Sequence, residues 1–239
     1  MRIKNILHFK IRILRYHVII FIVCALLFSS LSMFSSQEKS WFPYTIALTF
    51  DDGPHPGYTD QLIRMCNKYN IKVTFFVVGK QADKYPELLK MIDENGHEIA
   101  NHSYSHSNLT FLTSQAVISE LTQTHNAVTR VVNRQPRYFR PPGGNYNAQV
   151  VEAALSTGYE MVLWEVAPLD HLQQDSVVIA GKILENASDG DIVLLHSGMD
   201  PTIECLPHVI EELKNRGFRF VTVSEALLLR NPVFAAVNH

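Results

Sequence analysis

Short runs rich in β-branched and aromatic residues alternate seven times with longer helical patterns between residues 41 and 230. The candidate strands lie at 45–50, 72–78, 97–101, 138–140, 161–166, 192–195 and 218–222. The helical patterns cover 59–69, 82–95, 114–132, 148–157, 176–186, 207–216 and 224–230. Strands that alternate with helices form parallel sheets. Seven repeats predict an α/β fold in which the strands curl into an incomplete barrel.

Composition and helix-end residues favour one packed domain over residues 41–230. Hydrophobic residues make up 46% of the chain and charged residues 18%, a balance that excludes a largely disordered protein. Gly96, Gly158 and Gly217 directly follow helical patterns, where C-terminal caps are expected. Ser224 is the expected N-cap of the last helix. Residues 231–239 are then a C-terminal tail.

The first 36 residues have the pattern of an export signal. Basic residues precede an apolar run at 18–28, and no acidic residue occurs before Glu38. A basic stretch followed by an apolar one delivers the chain that follows it across a membrane. Residues 1–36 are therefore predicted to be either a cleaved signal peptide or a retained signal anchor. The remainder is predicted to work in the cell envelope or outside the cell.

Charge and cysteine content limit the partners of the exported part. Apart from the N-terminal cations Arg2, Lys4, Lys10, Arg12 and Arg15, the chain has 16 basic and 23 acidic residues. Such a balance repels phosphate backbones, so no nucleic-acid partner is expected, and contact with a membrane is expected only through the N-terminal segment. The sequence does not indicate an oligomeric state. Cys66 and Cys205 are expected to be small buried hydrophobic residues rather than disulfide partners.

Two predicted strands end in residue types that commonly serve as metal ligands. The first runs into Asp51 and Asp52, and the third runs into His102 and His106. Parallel sheets carry their functional groups at these carboxyl ends. Adjacent carboxylates repel one another unless a metal or an arginine offsets their charge, although a solvated turn would also explain them. Two imidazoles and one carboxylate leave open positions on a divalent metal, for which zinc is the default and cobalt, manganese and iron are alternatives.

Three further strands bring ionisable residues to the same predicted edge. Arg140 ends the fourth strand, His196 follows the sixth, and Asp170 lies just beyond the fifth. An arginine there can bind a buried carboxylate, and an aspartate can hold an imidazole in one tautomer. Each residue alone has an ordinary explanation, such as a surface arginine or a core histidine. Their agreement in position favours one functional site.

Five ordered segments resemble the motifs of polysaccharide deacetylases, the NodB-homology domains of carbohydrate esterase family four. They are Thr49-Phe50-Asp51-Asp52-Gly53, His102-Ser103-x-x-His106, Arg140-Pro141-Pro142-x-Gly144, Asp170 and Leu194-x-His196. The resemblance extends from about residue 45 to residue 229. It implies a distorted (β/α)7 barrel and a metal-dependent hydrolase. The implied reaction releases acetate from N-acetyl groups of an envelope or extracellular polysaccharide, such as peptidoglycan or a chitin-like polymer.

The same resemblance implies a role for each matched residue. The implied metal ligands are Asp52, His102 and His106, with Ser103 supporting the loop that positions His106. The resemblance implies that Asp51 is the general base and that Arg140 orients it. It also implies that His196 is the general acid and that Asp170 adjusts its pKa. The implied substrate contacts are the backbone N–H of Gly143 with the oxyanion and Leu194 with the acetyl methyl group.

Three positions depart from the family pattern. The fourth motif usually reads Asp-x-x-Asp-Trp, whereas this chain has Ala167 and His171 at the first and last positions. Gly143 replaces an aromatic residue that is common after the paired prolines. These departures concern the wall of the groove more than the chemistry. Two other functions are alternatives: an O-acetyl esterase acting on a xylan-like glycan, which could use the same site, and a non-catalytic glycan-binding homologue, against which the retained ligands, base and acid argue.

Overall fold

The first strand is the centre of the sheet, because it pairs with three other strands and its apolar residues are fully buried. The computed structural model describes residues 44–230, and all seven strands within them form one parallel sheet. The strands are β1 (Tyr44–Asp51), β2 (Thr74–Val77), β3 (Glu98–Asn101), β4 (Tyr138–Phe139), β5 (Glu160–Met161), β6 (Asp191–His196) and β7 (Phe218–Phe220). Their order is β5-β4-β3-β2-β1-β6, with β7 also paired to β1. The predicted α/β class and incomplete parallel barrel are confirmed.

The fifth strand is shorter than the predicted 161–166. After Met161 the chain leaves the ladder, and it meets β6 again only at an isolated bridge between Val166 and Val193. The Arg140 side chain donates to the Val162 and Leu163 carbonyl oxygens at 3.4 and 3.0 Å. These carbonyl groups therefore bind a guanidinium group where a regular strand would bind its neighbour.

Eight α-helices lie within the described residues. They are α1 (Thr59–Lys68), α2 (Gly79–Lys84), α3 (Pro86–Glu94), α4 (Ser114–Thr129), α5 (Ala148–Ser156), α6 (Ser176–Asn186), α7 (Asp200–Asn215) and α8 (Val223–Arg230). Short 3₁₀ turns occur at Leu109–Phe111 and Pro142–Gly144. Gly96, Gly158 and Gly217 all have positive φ just after helices, as expected of C-terminal caps.

Two helix boundaries and one helix cap were predicted wrongly. The pattern at 82–95 is two helices, because Pro86 lacks the N–H group that would continue α2 and instead begins α3. The pattern at 207–216 begins earlier, at Asp200, and α7 continues through Pro207. Ser224 is not the N-cap of α8. Thr222 and Glu225 instead cap it reciprocally, with the Glu225 carboxylate accepting from the Thr222 N–H at 2.8 Å.

Alternation along β1 and β6 separates the apolar core from the functional interior. Ile46, Leu48 and Phe50 are fully buried in the main core beneath the surrounding helices. Ala47 points the other way, into a smaller cluster inside the curled sheet. Because side chains alternate along a strand, Asp51 shares this interior face. The fold therefore places a carboxylate inside the barrel at the end of its central strand.

The predicted export segment at 1–36 and the tail at 231–239 lie outside the described residues. From residue 44 to residue 230, no helix combines the length and the apolar character needed to cross a bilayer. Cys66 and Cys205 are buried and free, as expected. Burial raises the pKa of each thiol to about 12, so neither is a reactive thiolate.

Candidate active site

The carboxyl ends of β1 and β6 place an aspartate beside a histidine. Asp51 is in register with His196, and Thr49 is in register with Leu194. Neighbouring strands lie about 4.8 Å apart, so residues in register on one face are close neighbours. The sheet therefore brings together the proposed base and acid without help from loops.

Asp51 forms a buried ion pair with Arg140. The Arg140 Nη1 lies 2.7 Å from Asp51 Oδ1, and both side chains are almost completely buried. The same nitrogen donates to Thr49 Oγ1 at 2.8 Å, and the guanidinium stacks 3.9 Å from the centre of the Phe76 ring. Hydrogen bonds to carbonyl groups of residues 162 and 163 fix its other nitrogens. The guanidinium thus has a single orientation, with one Asp51 oxygen bound to it.

Asp52, His102 and His106 converge on one point beside this pair. Asp52 Oδ1 lies 3.5 Å from His102 Nε2 and 3.0 Å from His106 Nε2. His102 Nε2 also lies 3.6 Å from Asp51 Oδ2. His102 Nδ1 lies 2.8 Å from the carbonyl oxygen of residue 140. A carbonyl can only accept, so Nδ1 carries the proton and Nε2 presents a lone pair to the carboxylates.

These three side chains fit a divalent metal ion. Asp52 Oδ1 is buried and has no hydrogen-bond donor among the described residues, which leaves a negative charge to be offset. Ligand atoms about 2.1 Å from one tetrahedral ion lie about 3.4 Å apart, close to the separations of 3.0 and 3.5 Å found here. Two imidazoles and one carboxylate suit zinc and also other first-row divalent metals.

The charges of the cluster shift the pKa values of its members. Burial raises the pKa of Asp52, but the close approach of the His106 imidazole, 3.0 Å away, and the charges of His102 and His106 outweigh burial and lower this pKa to about 2. Burial lowers the pKa of His102 despite its two carboxylate neighbours. Asp52 and His102 therefore favour the deprotonated forms that bind metals.

The backbone that carries the candidate metal ligands is strained. Asp52, Ser103 and His106 have φ values of 74°, 63° and 58°, a left-handed conformation that costs such residues about 1–3 kcal/mol each. The Ser103 hydroxyl accepts from the N–H of His106 at 3.1 Å, and the Asn101 side chain accepts from the N–H of Ser103 at 2.9 Å. These hydrogen bonds hold the loop that carries His106.

On the opposite side of Asp51, Asp170 holds His196. Asp170 Oδ1 lies 2.7 Å from His196 Nδ1, and Oδ2 accepts from the His196 backbone N–H at 2.8 Å and from the Thr202 hydroxyl at 2.6 Å. Burial lowers the pKa of His196, but the hydrogen bond and charge of Asp170 outweigh burial and raise it. The Asp170 pKa is lowered, because its bonds to His196 and Thr202 outweigh burial. The pair therefore favours an aspartate and an imidazolium.

The remaining predicted positions line the same edge of the sheet. Leu194 is mostly buried and shares the strand face of His196, two residues away. Gly143 is exposed and has a φ of 63° in the 3₁₀ turn after Arg140. The half-exposed His171 packs edge-on against His196, with ring centres 4.5 Å apart.

Sequence reasoning missed several residues that hold the site. The buried Thr49 hydroxyl accepts a hydrogen bond from Arg140, and the buried Thr202 hydroxyl donates one to Asp170. Glu120 binds the loop between the two histidines. Thr49 stood inside a recognised motif and could have been examined as a partner of Asp51. Thr202 and Glu120 lie within helices far along the chain, and their sequence context carries no signal of these contacts.

Comparison with known proteins gives one consistent result. A family model described as polysaccharide deacetylase matches residues 43–162. A peptidoglycan-N-acetylglucosamine deacetylase of Bacillus cereus is 37% identical over 187 residues, which cover 76% of this chain and 87% of the relative. The structure of peptidoglycan deacetylase PdaC from Bacillus subtilis matches with a TM-score of 0.75 and 30% identity over 81% of this chain and 94% of that structure. In the full PdaC sequence, described as a peptidoglycan-N-acetylmuramic acid deacetylase, the match covers 38% of the length.

A structure described as a pseudoenzyme of carbohydrate esterase family four, from Bacillus anthracis, also matches. Its TM-score is 0.74 at 27% identity, over 77% of this chain and 65% of that structure. Similarity of fold therefore extends to a protein described as lacking activity. Activity must be argued from individual residues.

Proposed function

Because the chain belongs to the polysaccharide deacetylase family, we propose that it hydrolyses N-acetyl groups on a cell-envelope polysaccharide, with peptidoglycan as the preferred candidate. The relatives reported above act, by their descriptions, on N-acetylglucosamine or on N-acetylmuramic acid of peptidoglycan. The products are acetate and a sugar with a free amine. The polymer lies outside the cytoplasm, in agreement with the predicted export of the chain.

One observation carries the proposal. The candidate ligand atoms of Asp52, His102 and His106 converge on one point. Beside them lie two side chains that are each oriented by a partner: Asp51 is bound by Arg140, and His196 is bound by Asp170. A structural metal site needs no such neighbours. A hydrolytic site needs a metal, a base and an acid within reach of one substrate bond.

Asp52, His102 and His106 would hold a divalent cation, for which zinc is the first candidate and cobalt, manganese and iron are alternatives. When bound, such an ion polarises a carbonyl group and lowers the pKa of a water molecule. His102 is ready for this role, because its Nδ1 proton is committed to the carbonyl oxygen of residue 140.

Asp51 would accept the proton of the attacking water. Arg140 binds one Asp51 oxygen at 2.7 Å and leaves the other facing the metal-binding side chains. This arrangement fixes which oxygen acts as the base. The buried guanidinium also places a positive charge directly beside this carboxylate.

The N–H of Gly143 would donate to the oxygen that becomes negatively charged when the acetyl carbon is attacked. Losing one such donor typically costs about 2.7–4 kcal/mol of transition-state stabilisation. Leu194 would contact the acetyl methyl group, because it is apolar and shares the strand face of His196.

His196 would protonate the departing nitrogen. Its Nδ1 is bound to Asp170, so Nε2 is the atom left to carry the transferred proton. The raised pKa of His196 keeps this proton available near neutral pH.

Acetate release tests the proposal. The full chain is incubated with purified peptidoglycan, chitin oligomers and acetylated xylan, each with and without a chelator and after adding back each candidate metal. We expect release from peptidoglycan that a chelator abolishes and a metal restores. Asp51→Asn should lower kcat by about 10²–10⁴-fold, while exposed Glu152→Gln on α5 should leave it unchanged. Release from xylan alone would indicate an O-acetyl esterase. No release from any glycan that is nevertheless bound would indicate a non-catalytic homologue.

A further inference from the structure

A short loop, residues 102–106, begins and ends with the two histidines of the metal-binding cluster. His102 is buried and fixed by the carbonyl oxygen of residue 140, but the His106 side chain is 44% exposed. Ser103 and His106 both have positive φ, so the loop is not held by the preferences of its own backbone. The position of the His106 imidazole therefore depends on what binds the loop.

Glu120, in the middle of α4, binds the N–H side of this loop. Its Oε2 accepts from the N–H groups of Tyr104 and Ser105 at 2.9 and 2.7 Å. Its Oε1 accepts from the Ser105 hydroxyl at 2.9 Å. Three hydrogen bonds from consecutive residues to one carboxylate fix the centre of the loop. Hydrogen bonds to an ionised acceptor are about twice as strong as neutral ones.

The carbonyl side of the loop is bound by the start of α2. The N–H groups of Gly79 and Lys80 donate to the carbonyl oxygens of Ser103 and Tyr104, both at 3.0 Å. The loop is thus held between two helices that contribute no metal ligand. The α2 contacts use backbone groups, whereas Glu120 contributes the side chain that can be changed.

We propose that Glu120 is a positioning residue that fixes the distance between His102 and His106 and thereby sets the affinity for the metal. This inference rests on the proposed function, because it requires that the two histidines bind a metal. It assigns to Glu120 a geometric role and not an electrostatic one. A general increase in negative charge near the site would also favour a cation, so the two roles need separate tests.

Three substitutions separate geometry from charge. Glu120→Gln removes the charge but keeps the shape, because the amide oxygen can accept from both N–H groups and the amide nitrogen can donate to the Ser105 hydroxyl. Glu120→Asp keeps the charge but shortens the side chain by one methylene group. Glu120→Ala removes both. Exposed Glu152→Ala on α5 is the matched control for the loss of a helical glutamate.

The experiment measures the Zn²⁺ dissociation constant of the full chain by competition with a chromophoric chelator, and the absorption spectrum of the Co²⁺-loaded protein. We expect Glu120→Ala and Glu120→Asp to weaken Zn²⁺ binding by about 10–100-fold and to alter the Co²⁺ spectrum. Glu120→Gln should stay within about threefold of the wild type, and Glu152→Ala should be unchanged. Thermal unfolding of each metal-free variant reports whether it folds.

Each outcome bears on the proposal. Equal Zn²⁺ affinity of folded Glu120→Ala and the wild type would overturn it. So would weak binding by Glu120→Gln with normal binding by Glu120→Asp, since charge would then be decisive. If Glu120→Ala does not fold, the comparison between the Gln and Asp variants decides. A wild-type chain that binds neither Zn²⁺ nor Co²⁺ would overturn the proposed function as well.

Discussion

Replacing Arg140 with methionine should cost about 3–5 kcal/mol of unfolding free energy, the usual cost of removing one partner from a buried ion pair. The figure follows from the groups left behind. Arg140 is completely buried, and its loss removes the donors that serve Asp51 Oδ1 and the Leu163 carbonyl oxygen. Each buried group left without a partner costs about 1–3 kcal/mol. Thr49 loses less, because its hydroxyl also donates to the Val193 carbonyl oxygen.

Asp51→Asn should cost less than Arg140→Met. The guanidinium would keep Thr49 and two carbonyl oxygens as acceptors, and it would still stack on the Phe76 ring at 3.9 Å. The double variant should be more stable than the sum of the two single effects predicts, by about 2 kcal/mol, because neither charge is then left alone.

Urea unfolding of the full chain in the presence of a chelator measures these differences without a contribution from metal binding. The wild type, both single variants and the double variant form one thermodynamic cycle. Additive costs within about 0.5 kcal/mol would refute the reasoning, since independent sites behave in that way. A cost below about 1 kcal/mol for Arg140→Met would show that the Arg140–Asp51 ion pair stabilises the protein no more than a solvent-exposed ion pair does.

Three further predictions concern pH and packing. Asp170 raises the pKa of His196, so Asp170→Asn should move the alkaline limb of the kcat/KM profile to lower pH. Burial lowers the pKa of His97 to about 4, so the unfolded chain binds more protons between pH 6.5 and 4. Unfolding free energy should therefore fall with decreasing pH across this window, by up to about 1.4 kcal/mol per pH unit, and His97→Gln should flatten this dependence in urea titrations. A Cβ atom at Gly79 would lie 2.4 Å from the Tyr104 ring and 2.6 Å from Thr124 Oγ1. Gly79→Ala should destabilise the protein by about 1–3 kcal/mol and weaken Zn²⁺ binding, whereas Gly181→Ala, with no neighbour within 4 Å, should do neither.

The alternation of strands and helices was predictable because each element carries its own pattern. All seven predicted strands exist, and β1 and β6 each extend one residue beyond the predicted range at each end. The errors arose where distant groups override local preference. The fifth strand leaves the ladder where Arg140 binds its carbonyl groups. The amino-acid pattern of residues 161–166 carries no information about a contact with so distant a residue.

The candidate site was predictable to the extent that it lies at strand ends. Asp51 and His196 are in register, so parallel pairing of β1 and β6 is sufficient to bring them together. The contacts of Glu120 with Tyr104 and Ser105 were not predictable, because they depend on how α4 packs against a loop 15 and 16 residues earlier. A glutamate in the middle of a helix has the same sequence signature whether it binds a loop or faces solvent.

The proposed reaction needs one ionised carboxylate and one charged imidazole close together, and the fold gives each of the two residues a separate partner. Asp51 and His196 are neighbours across two strands. Arg140, from the end of β4, binds Asp51 at 2.7 Å, and Asp170, beyond β5, lies 2.7 Å from His196 Nδ1. Arg140 places a positive charge beside Asp51, and Asp170 raises the pKa of His196 and so favours its charged form. Because the partners follow different strands, either can be changed while the other is kept, and the proton-accepting and proton-donating steps can be studied separately.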